Sequence, residues 1–251
     1  MDVRECERYL NQLLNAEAIR DYAPNGLQVS GTRPVQHVVT GVTACQALLD
    51  AAAAEGADTI LVHHGYFFKG EPDVITGMKR DRIATLIQHD MHLLAYHLPL
   101  DCHPELGNNA LFGQAIGVDE LGTFSVGDYR DAGSYGSLKQ PCSAVELSSQ
   151  LEDLLGQQPL HIAGHSRTLQ RIAWATGAAQ DFIIEAHALG VDAFITGEAS
   201  ERTCHYAREL GIDFFAAGHH ATERFGVRAL GDHLAKQYGV QHTYIDVPNP
   251  I

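Results

Sequence analysis

A short run of apolar, β-forming residues ends abruptly in two histidines and a glycine: Thr59-Ile60-Leu61-Val62-His63-His64-Gly65. This pattern predicts a buried strand that delivers polar side chains to the carboxyl edge of a sheet. Two later segments also follow apolar runs and place a carboxylate four residues after a histidine: Tyr96-His97-Leu98-Pro99-Leu100-Asp101 and Gly218-His219-His220-Ala221-Thr222-Glu223. Because imidazole and carboxylate groups are common metal ligands, we expect these three strand ends to meet around divalent metal.

The composition indicates an acidic globular protein. Its 251 residues are 45% hydrophobic, which is enough to fill a core, and 31 acidic against 17 basic residues give a net charge of −14. That charge repels nucleic-acid phosphates, so a nucleic-acid partner is disfavoured on electrostatic grounds. Fifteen histidines are a high number for this length and agree with metal chemistry.

Cysteine usage and hydropathy bear on the cellular compartment. The five cysteines are odd in number and widely spaced, so they predict neither a disulfide framework nor a zinc ribbon. Residues 1–5 lack the pattern of a signal peptide, and no run of about 18 uncharged apolar residues occurs. We therefore expect a cytoplasmic protein with no membrane partner.

A strand-helix-strand pattern surrounds the first histidine pair and favours a parallel sheet covered by helices. Its parts are a strand over Val35–Val42, a helix over Ala44–Glu55 and a strand over Asp58–Val62. A second copy follows, in which Asp192 repeats Asp58 and Thr176-Gly177 repeats Thr40-Gly41 at nearly the same spacing. The shared spacing predicts an internal duplication and an α/β fold.

The duplication predicts one unit over residues 1–251 with two packed lobes, at about 1–120 and about 167–251. The segment between them, about 121–166, is weakly patterned and glycine-rich, and it contains a predicted helix at Ala144–Leu155. Aligning the lobes places His219 on His97, Glu223 on Asp101 and Glu198 opposite His64. The lobes are thus expected to share one architecture and to differ in their polar residues.

The adjacent histidines raise the question of how many metals are bound. Neighbouring side chains on a regular strand point to opposite faces, so His63 and His64 reach one site only if the chain turns at Gly65; otherwise each serves a different metal. Carboxylates such as Asp101 and Glu223 commonly bridge metal pairs. A single buried histidine is more often a hydrogen-bonded core residue, but three such clusters in a duplicated frame favour ligation.

Further residues are candidates for catalysis and substrate binding. We expect His97 or Glu198 to shuttle protons. His103 and Asn108 lie in a polar segment that either lines a substrate pocket or forms a helix-capping turn. Tyr66, with the two phenylalanines after it, could stack on a planar ring or simply pack. The sequence has neither a phosphate-binding glycine loop nor a serine or cysteine triad.

Six motifs carry a family resemblance that spans nearly the whole chain. The motifs are Asp21-Tyr22-Ala23-Pro24-Asn25-Gly26-Leu27-Gln28-Val29, Val62-His63-His64-Gly65-Tyr66-Phe67, His97-Leu98-Pro99-Leu100-Asp101, His103-Pro104-Glu105-Leu106-Gly107-Asn108-Asn109, Phe194-Ile195-Thr196-Gly197-Glu198 and Ala217-Gly218-His219-His220-Ala221-Thr222-Glu223-Arg224. They resemble the NGG-interacting-factor-three-like family, whose members are often labelled GTP cyclohydrolase I type 2 homologues, and within it the short bacterial YbgI-like proteins.

The resemblance implies a duplicated three-layer α/β/α architecture of two intertwined, similar lobes with mainly parallel sheets. It also implies self-association into a toroidal homohexamer, a trimer of dimers, with a dinuclear metal site facing the internal cavity. His97 falls beside that site. Nitrogen and oxygen donors suit Zn, Mn, Fe, Ni or Co as the two divalent ions. The implied ligands fall on His63, His64, Asp101, His219 and Glu223.

The function we expect is that of a dinuclear-metal-dependent hydrolase. The substrate would be a small anionic, nucleotide-like molecule, of the GTP cyclohydrolase type by the family label, and metal-bound hydroxide would be the nucleophile. The alternative is a non-catalytic protein that stores, delivers or senses metal and is built as a ring. Turnover by the metal-loaded protein separates the two.

Overall fold

The computed structural model describes residues 1–165 and 167–251, so Ser166, the last residue of the predicted connecting segment, lies outside the described residues. The chain divides into two units, each formed from two stretches of sequence. Unit 1 comprises Met1–Leu100 and Gly226–Pro248, and unit 2 comprises Asp101–Phe225 and Asn249–Ile251. The lobe boundaries expected from the repeat remain a separate prediction, because the units follow packing rather than sequence similarity.

Unit 1 is built on a five-stranded sheet in which three of the four strand pairings are parallel. The strands are β1 (Gly26–Val29), β2 (His37–Thr43), β3 (Thr59–His64), β4 (His92–Ala95) and β11 (Gln241–Tyr244), in the spatial order β1-β4-β3-β2-β11. Only β1 runs antiparallel, against β4. The helices are α1 (Val3–Leu13), α2 (Gln46–Ala54), α3 (Gly77–Gln88), the short α4 (Leu98–Asp101) except for its last residue and, from its third residue onward, α10 (Arg224–Tyr238).

The sheet of unit 1 is buried on both faces, as expected for parallel strands. Ile60, Val62 and Leu93 belong to a core that includes the apolar side of α2. The alternate residues Leu61 and Leu94 are also at most 1% exposed. The continuous apolar run before the histidines is therefore a fully buried central strand, which confirms the prediction made from its composition.

Unit 2 contains a six-stranded sheet that is mixed rather than mainly parallel. Its spatial order is β5-β6-β8-β9-β10-β7, and only the β8–β9 and β9–β10 pairings are parallel. The strands are β5 (Val118–Val126), β6 (Tyr129–Cys142), β7 (Leu160–Ile162), β8 (Leu169–Trp174), β9 (Ala193–Thr196) and β10 (Asp213–Ala216). The helices are α5 (Asn108–Ala115), α6 (Ala144–Leu155), α7 (Ile183–Ala188), α8 (Glu201–Leu210) and α9 (His219–Thr222).

Alternate residues of these strands enter two separate cores. Trp174 and Ile195 pack in one core with residues of α5 and α6. Ala173 and Phe194 pack in the other with residues of α7 and α8. Because successive strand residues point to opposite faces, unit 2 has helices on both sides of its sheet. The predicted three-layer α/β/α arrangement is thus observed in this unit.

The strand register supports the duplication and corrects its alignment. Val38 pairs with Thr59 in unit 1 as Ile172 pairs with Ala193 in unit 2, and the aspartates Asp58 and Asp192 precede these pairs equivalently. In this register Thr40-Gly41 falls on Trp174-Ala175, so its predicted match with Thr176-Gly177 is wrong. The two aspartates are equivalent in detail, because each accepts hydrogen bonds from two consecutive backbone N–H groups near the start of the neighbouring strand.

The third strands of the two repeats are brought together by the same pairings. Ala95 pairs with Val62, and Ala216 pairs with Thr196, so Ala95 is equivalent to Ala216. His97 is therefore equivalent to Gly218, and His219 lies one position further on. Gly218 has a φ of +101°, a conformation that favours glycine, and it precedes the first turn of α9. The predicted alignment of His219 on His97 is therefore off by one residue, because Gly218 occupies the position equivalent to His97 and leads into the turn.

The first half of the predicted connecting segment, residues 121–142, belongs to the long β5–β6 hairpin. Sequence reasoning missed it because the strands contain glycines that resemble loop punctuation. A Cβ at Gly133 would lie 2.4 Å from Phe124 Cζ, so glycine lets that ring cross the strand. The predicted helix within the same segment is confirmed at α6. There Ser143 and Glu146 form a capping box, and Gly156 ends the helix with a φ of +77°.

In the part of the chain that the structure describes, none of the helices is both long and apolar enough to cross a membrane.

Candidate metal centre

The two adjacent histidines close strand β3, and their side chains converge. The ring centroids of His63 and His64 lie 4.6 Å apart, and the planes are tilted by 49°. His63 is fully buried, and its Nδ1 lies 2.9 Å from the carbonyl oxygen of Tyr96. A carbonyl only accepts, so Nδ1 carries the hydrogen and the lone pair of neutral His63 is on Nε2. His64 Nδ1 lies 3.1 Å from Thr43 Oγ1 on the neighbouring strand.

His97 follows strand β4 and is held on two sides by a loop near the N-terminus. Its Nδ1 lies 2.9 Å from Asp21 Oδ1, and its backbone N–H donates to Asn25 Oδ1 at 2.7 Å. Asp21 also accepts from Leu98 N and from Asn25 Nδ2. Burial raises the pKa of Asp21, but the hydrogen bond and charge of His97, with the other donors, outweigh it and lower the pKa to about 2.

Unit 1 thus brings together His63, His64 and His97. One ring nitrogen of each lies within 4.8 Å of one of each of the others, close enough for a metal ion to bind them. In all three rings Nδ1 faces a hydrogen-bonding partner. A partner on one nitrogen fixes the ring orientation and presents the other nitrogen, which is the usual arrangement around metal-ligating histidines.

Unit 2 contributes a histidine and two carboxylates. His219 begins α9, and its Nε2 lies 3.0 Å from Glu223 Oε2, four residues later. This contact confirms the prediction that a helical turn places the two residues on one face. His219 Nδ1 lies 2.6 Å from Glu198 Oε1, at the end of strand β9. Both ring nitrogens of His219 therefore contact a carboxylate.

The two carboxylates set the protonation of this histidine. Burial lowers the pKa of His219, but the hydrogen bonds and charges of Glu223 and Glu198 outweigh it and raise the pKa to about 9. His219 is thus an imidazolium between two carboxylates near neutral pH. A cation shared by His219 and Glu223 would take the place of the proton on Nε2, because metal ligation requires the neutral ring.

Asp101 is a buried carboxylate at the end of α4. One of its carboxylate oxygens lies within 4.8 Å of one of Glu223. Asn108 Nδ2 donates to Asp101 Oδ1 at 2.8 Å, and Thr176 Oγ1 lies 3.5 Å from the same atom. Charge-assisted hydrogen bonds of this kind hold the carboxylate in one orientation. Asp101 and Glu223 thus form an oxygen-donor pair within unit 2.

The residues predicted to bind substrate occupy other environments. Tyr66 is 3% exposed and its hydroxyl donates to the carbonyl of Ala44, which agrees with the packing alternative stated for it. Asn108 is fully buried against Asp101 and supports that carboxylate instead. His103 Nδ1 accepts from the backbone N–H groups of Glu105 and Leu106, so its side chain stabilises the turn that precedes α5.

Sequence reasoning missed the residues that support the histidines. The segment from Asp21 to Asn25 reads as a helix-breaking turn, and its side chains prove to hold His97. Thr43 directly follows the predicted strand over Val35–Val42 and is given no role by the sequence, although it contacts His64. The sequence does contain a signal for this role. A turn needs only one or two polar residues, whereas the segment from Asp21 to Asn25 has a carboxylate and an amide four residues apart.

Comparisons with known proteins agree with this architecture. The family model Duf34/NIF3 (NGG1p interacting factor 3) matches residues 1–250. A Yersinia pestis protein called GTP cyclohydrolase 1 type 2 homolog is 55% identical, with 98% of each chain covered. An Escherichia coli K12 protein of the same name is 52% identical over 98% of each chain. Among solved structures, protein ybgI, described as of unknown function, superposes with a TM-score of 0.96 at 51% identity, covering both chains fully. A Thermus thermophilus protein gives a TM-score of 0.91 at 32% identity, also over both full chains.

Proposed function

Because the chain belongs to the Duf34/NIF3 family, we propose that it is a metal-dependent hydrolase of a small, nucleotide-like substrate. The main support is that four histidines each have Nδ1 within hydrogen-bonding distance of a partner, namely His63, His64, His97 and His219. Such bracing orients the ring and presents its other nitrogen, and the approach of His63, His64 and His97 to within 4.8 Å distinguishes these rings from a single hydrogen-bonded core histidine. The names of the relatives, GTP cyclohydrolase 1 type 2 homolog, support a nucleotide such as GTP as the first substrate to try.

We propose that two divalent ions are held by His63, His64, Asp101, His219 and Glu223. The donors are imidazole nitrogens and carboxylate oxygens, a set that suits Zn, Mn, Fe, Ni or Co. The fit is supported by the short His219–Glu223 contact and by the buried Asp101 carboxylate beside Glu223. When bound, divalent metals at such a site supply Lewis acidity and lower the pKa of water towards neutrality.

Two of the chain's own residues are placed to move protons. Asp21 accepts from Nδ1 of His97, which keeps the lone pair of the neutral ring on Nε2. His97 can therefore accept a proton at Nε2, and the buried carboxylate stabilises the resulting imidazolium. Glu198 lies 2.6 Å from His219 Nδ1 and holds that proton while His219 serves as a ligand.

The proposal is tested by elemental analysis of the untagged protein together with hydrolase screening. The substrate panel holds GTP, other nucleotides, phosphoesters and amidines. We expect about two metals per chain, with turnover that depends on them. Glu223→Gln is nearly isosteric and should lose metal and activity while keeping its fold. His63→Ala should also lose metal and activity, but it removes a buried side chain, so its fold needs to be checked. His89→Ala is the matched control, because His89 is an exposed histidine outside the candidate groups.

Each outcome has one reading. Bound metal that is lost in Glu223→Gln, with turnover lost in parallel, supports the hydrolase. Bound metal without turnover on any substrate overturns the hydrolase in favour of metal storage, delivery or sensing. Wild-type protein purified without metal, and unable to take it up by dialysis, overturns the site. Circular dichroism of each variant separates loss of ligation from loss of fold.

The assembly and location expected from the family resemblance are part of the same proposal. We propose that the chain forms a cytoplasmic homohexamer, a trimer of dimers arranged as a ring, and that its substrate is a small anion. Light scattering coupled to gel filtration measures the mass in solution, for which a hexamer of 27.3 kDa chains is the expected result. A monomeric or dimeric mass would contradict the ring.

A further inference from the structure

Two aromatic side chains from different loops stand beside the histidines of unit 1. The Tyr22 ring centroid lies 5.0 Å from that of His97, and the Phe68 centroid lies 5.5 Å from it. Phe68 is also 6.3 Å from His64, and the two aromatic rings are 5.9 Å from each other. These two rings, Tyr22 and Phe68, are called the aromatic pair below.

The aromatic pair is only partly buried, unlike the packing tyrosines of the same unit. Tyr22 is 45% exposed and Phe68 is half-buried, whereas Tyr66 is 3% exposed and Tyr96 is fully buried. A side chain whose role is packing gains most from complete burial. An aromatic ring that remains exposed beside polar, metal-ligating groups offers a face to a ligand.

The loops that carry the pair are joined by specific hydrogen bonds. The backbone N–H of Lys69 donates to the carbonyl of Tyr22 at 2.8 Å, which connects the two loops directly. Gln28 accepts from Tyr66 N and donates to the carbonyls of Tyr66 and Pro24, so one amide holds both loops. The relative placement of the aromatic pair is therefore built into the fold.

The backbone beside Phe68 is held in an unfavourable conformation. Phe67 has a φ of +66°, which is rare for a bulky side chain. Glu71 accepts the N–H of Phe67 at 2.9 Å, and Lys79 lies over the Phe67 ring while bonding Glu71. Strain of this kind persists where surrounding contacts enforce it, and it concentrates at binding and catalytic sites. Here the strained turn directs Phe68 towards His64 and His97.

From these contacts we propose that the aromatic pair is the subsite for a planar heteroaromatic ring, with Tyr22 as the stacking face and Phe68 as its backing wall. Aromatic faces bind flat π-systems without needing a particular hydrogen-bond pattern. A ligand ring stacked on Tyr22 would lie next to His97. The proposal rests on the proposed function in one respect, since it names the ring of that substrate. It concerns binding alone and needs no metal.

The test uses a fluorescent stacking residue in metal-stripped, full-length protein. Tyr22→Trp keeps an aromatic face and reports on it, and Tyr129→Trp is the control because Tyr129 is a similarly exposed tyrosine on the β5–β6 hairpin. The probe is guanosine 5′-monophosphate, with ribose 5-phosphate as the ringless comparison. We expect saturable quenching of Tyr22→Trp by the nucleotide alone, and no saturable quenching of the control.

Further substitutions separate stacking from simple bulk. Phe68→Leu added to the reporter should weaken nucleotide binding roughly 5- to 100-fold, the range for loss of an aromatic stacking partner, whereas Phe68→Tyr should leave it unchanged. Calorimetry of variants without the tryptophan reporter should likewise show that Tyr22→Leu weakens nucleotide binding and that Tyr22→Phe retains it. Equal quenching by ribose 5-phosphate, no saturation by the nucleotide at millimolar concentration, or unchanged affinity in Tyr22→Leu would overturn the proposal.

Failure of this inference is distinguishable from failure of the hydrolase proposal. Nucleotide stacking in a protein that never turns over substrate supports the subsite and refutes the hydrolase. Turnover whose KM is the same in Tyr22→Leu and Tyr22→Phe supports the hydrolase and refutes the subsite. A rise in KM confined to Tyr22→Leu, with kcat retained, supports both.

Discussion

Replacing Asp21 by asparagine should destabilise the protein and release His97. The Asp21 carboxylate is 2% exposed, and it accepts from backbone N–H groups, Asn25 and His97. An amide has one accepting oxygen, so Asp21→Asn turns an NH₂ group towards donors that now bond an oxygen. A buried donor left without an acceptor costs about 1–3 kcal/mol.

The loss of charge gives a second measure of the effect. The pKa of Asp21 is lowered from 3.8 to about 2, which at about 1.4 kcal/mol per unit corresponds to some 2 kcal/mol of native-state stabilisation. The two measures overlap, so we expect a loss of about 2–4 kcal/mol in the free energy of unfolding near neutral pH. The sign with pH follows from the lowered pKa: this contribution is complete above 3.8 and disappears as the pH falls towards 2.

Urea unfolding of metal-free protein, followed by circular dichroism, measures this difference. The gap between wild type and Asp21→Asn should be full near neutral pH and should close with acidification below pH 4, roughly the unfolded carboxyl pKa. Asp73→Asn is the control, because Asp73 is an exposed carboxylate of the same unit. A neutral-pH gap below about 0.5 kcal/mol, the usual effect of a surface substitution, would refute the role assigned to Asp21.

Three further substitutions test the packing around the site and the repeat. Gly65→Ala would place a Cβ 2.1 Å from Gln28 Oε1, so we expect thermal unfolding to shift down by an amount equivalent to about 1–3 kcal/mol. Asp192→Ala removes the acceptor of two exposed backbone N–H groups, which water can then satisfy, and should cost about 0.5–1.5 kcal/mol in urea unfolding. Gly113→Ala would set a Cβ 2.4 Å from Trp174 Cζ2, so the emission of this single, buried tryptophan should change along with stability. Unchanged values would contradict the respective contact.

The elements that sequence predicts well are those whose burial pattern is simple. The run before His63 predicts a central strand because both of its faces are buried, and α6 is predicted to the residue because its cap and its terminal glycine are both written in the sequence. The β5–β6 hairpin is missed because its glycines serve close packing, and that purpose depends on which side chain crosses the strand. Local composition does not carry that information.

For the site, the histidines are predictable and their supports are not. A histidine at a strand end is visible as a break in hydropathy, whereas Asp21 reaches His97 across 76 residues of chain. For Tyr66 the sequence leaves stacking on a ligand and packing both open, and in the structure Tyr66, directly after the turn at Gly65, is buried in the core. Adjacent side chains on a tight turn can be buried or exposed, and the three-dimensional path of the chain decides which.

The corrected register shows how one duplicated frame holds two different sets of polar groups. His63 is equivalent to Gly197 and Thr43 to Gly177, because the same strand pairing relates both positions. A Cβ at Gly197 would lie 2.6 Å from His219 Cα, and one at Gly177 would lie 2.1 Å from Glu223 Oε1.

The side chains that unit 1 places on its first two strand ends would therefore collide, in unit 2, with the turn that carries His219 and Glu223. Glycine at those positions leaves room for that turn. In unit 2 the candidate ligands come instead from the third strand end, with Glu198, equivalent to His64, holding His219 at Nδ1. The repeats thus differ at matched positions for a steric reason, because the turn that carries His219 and Glu223 excludes from unit 2 the side chains that unit 1 has there.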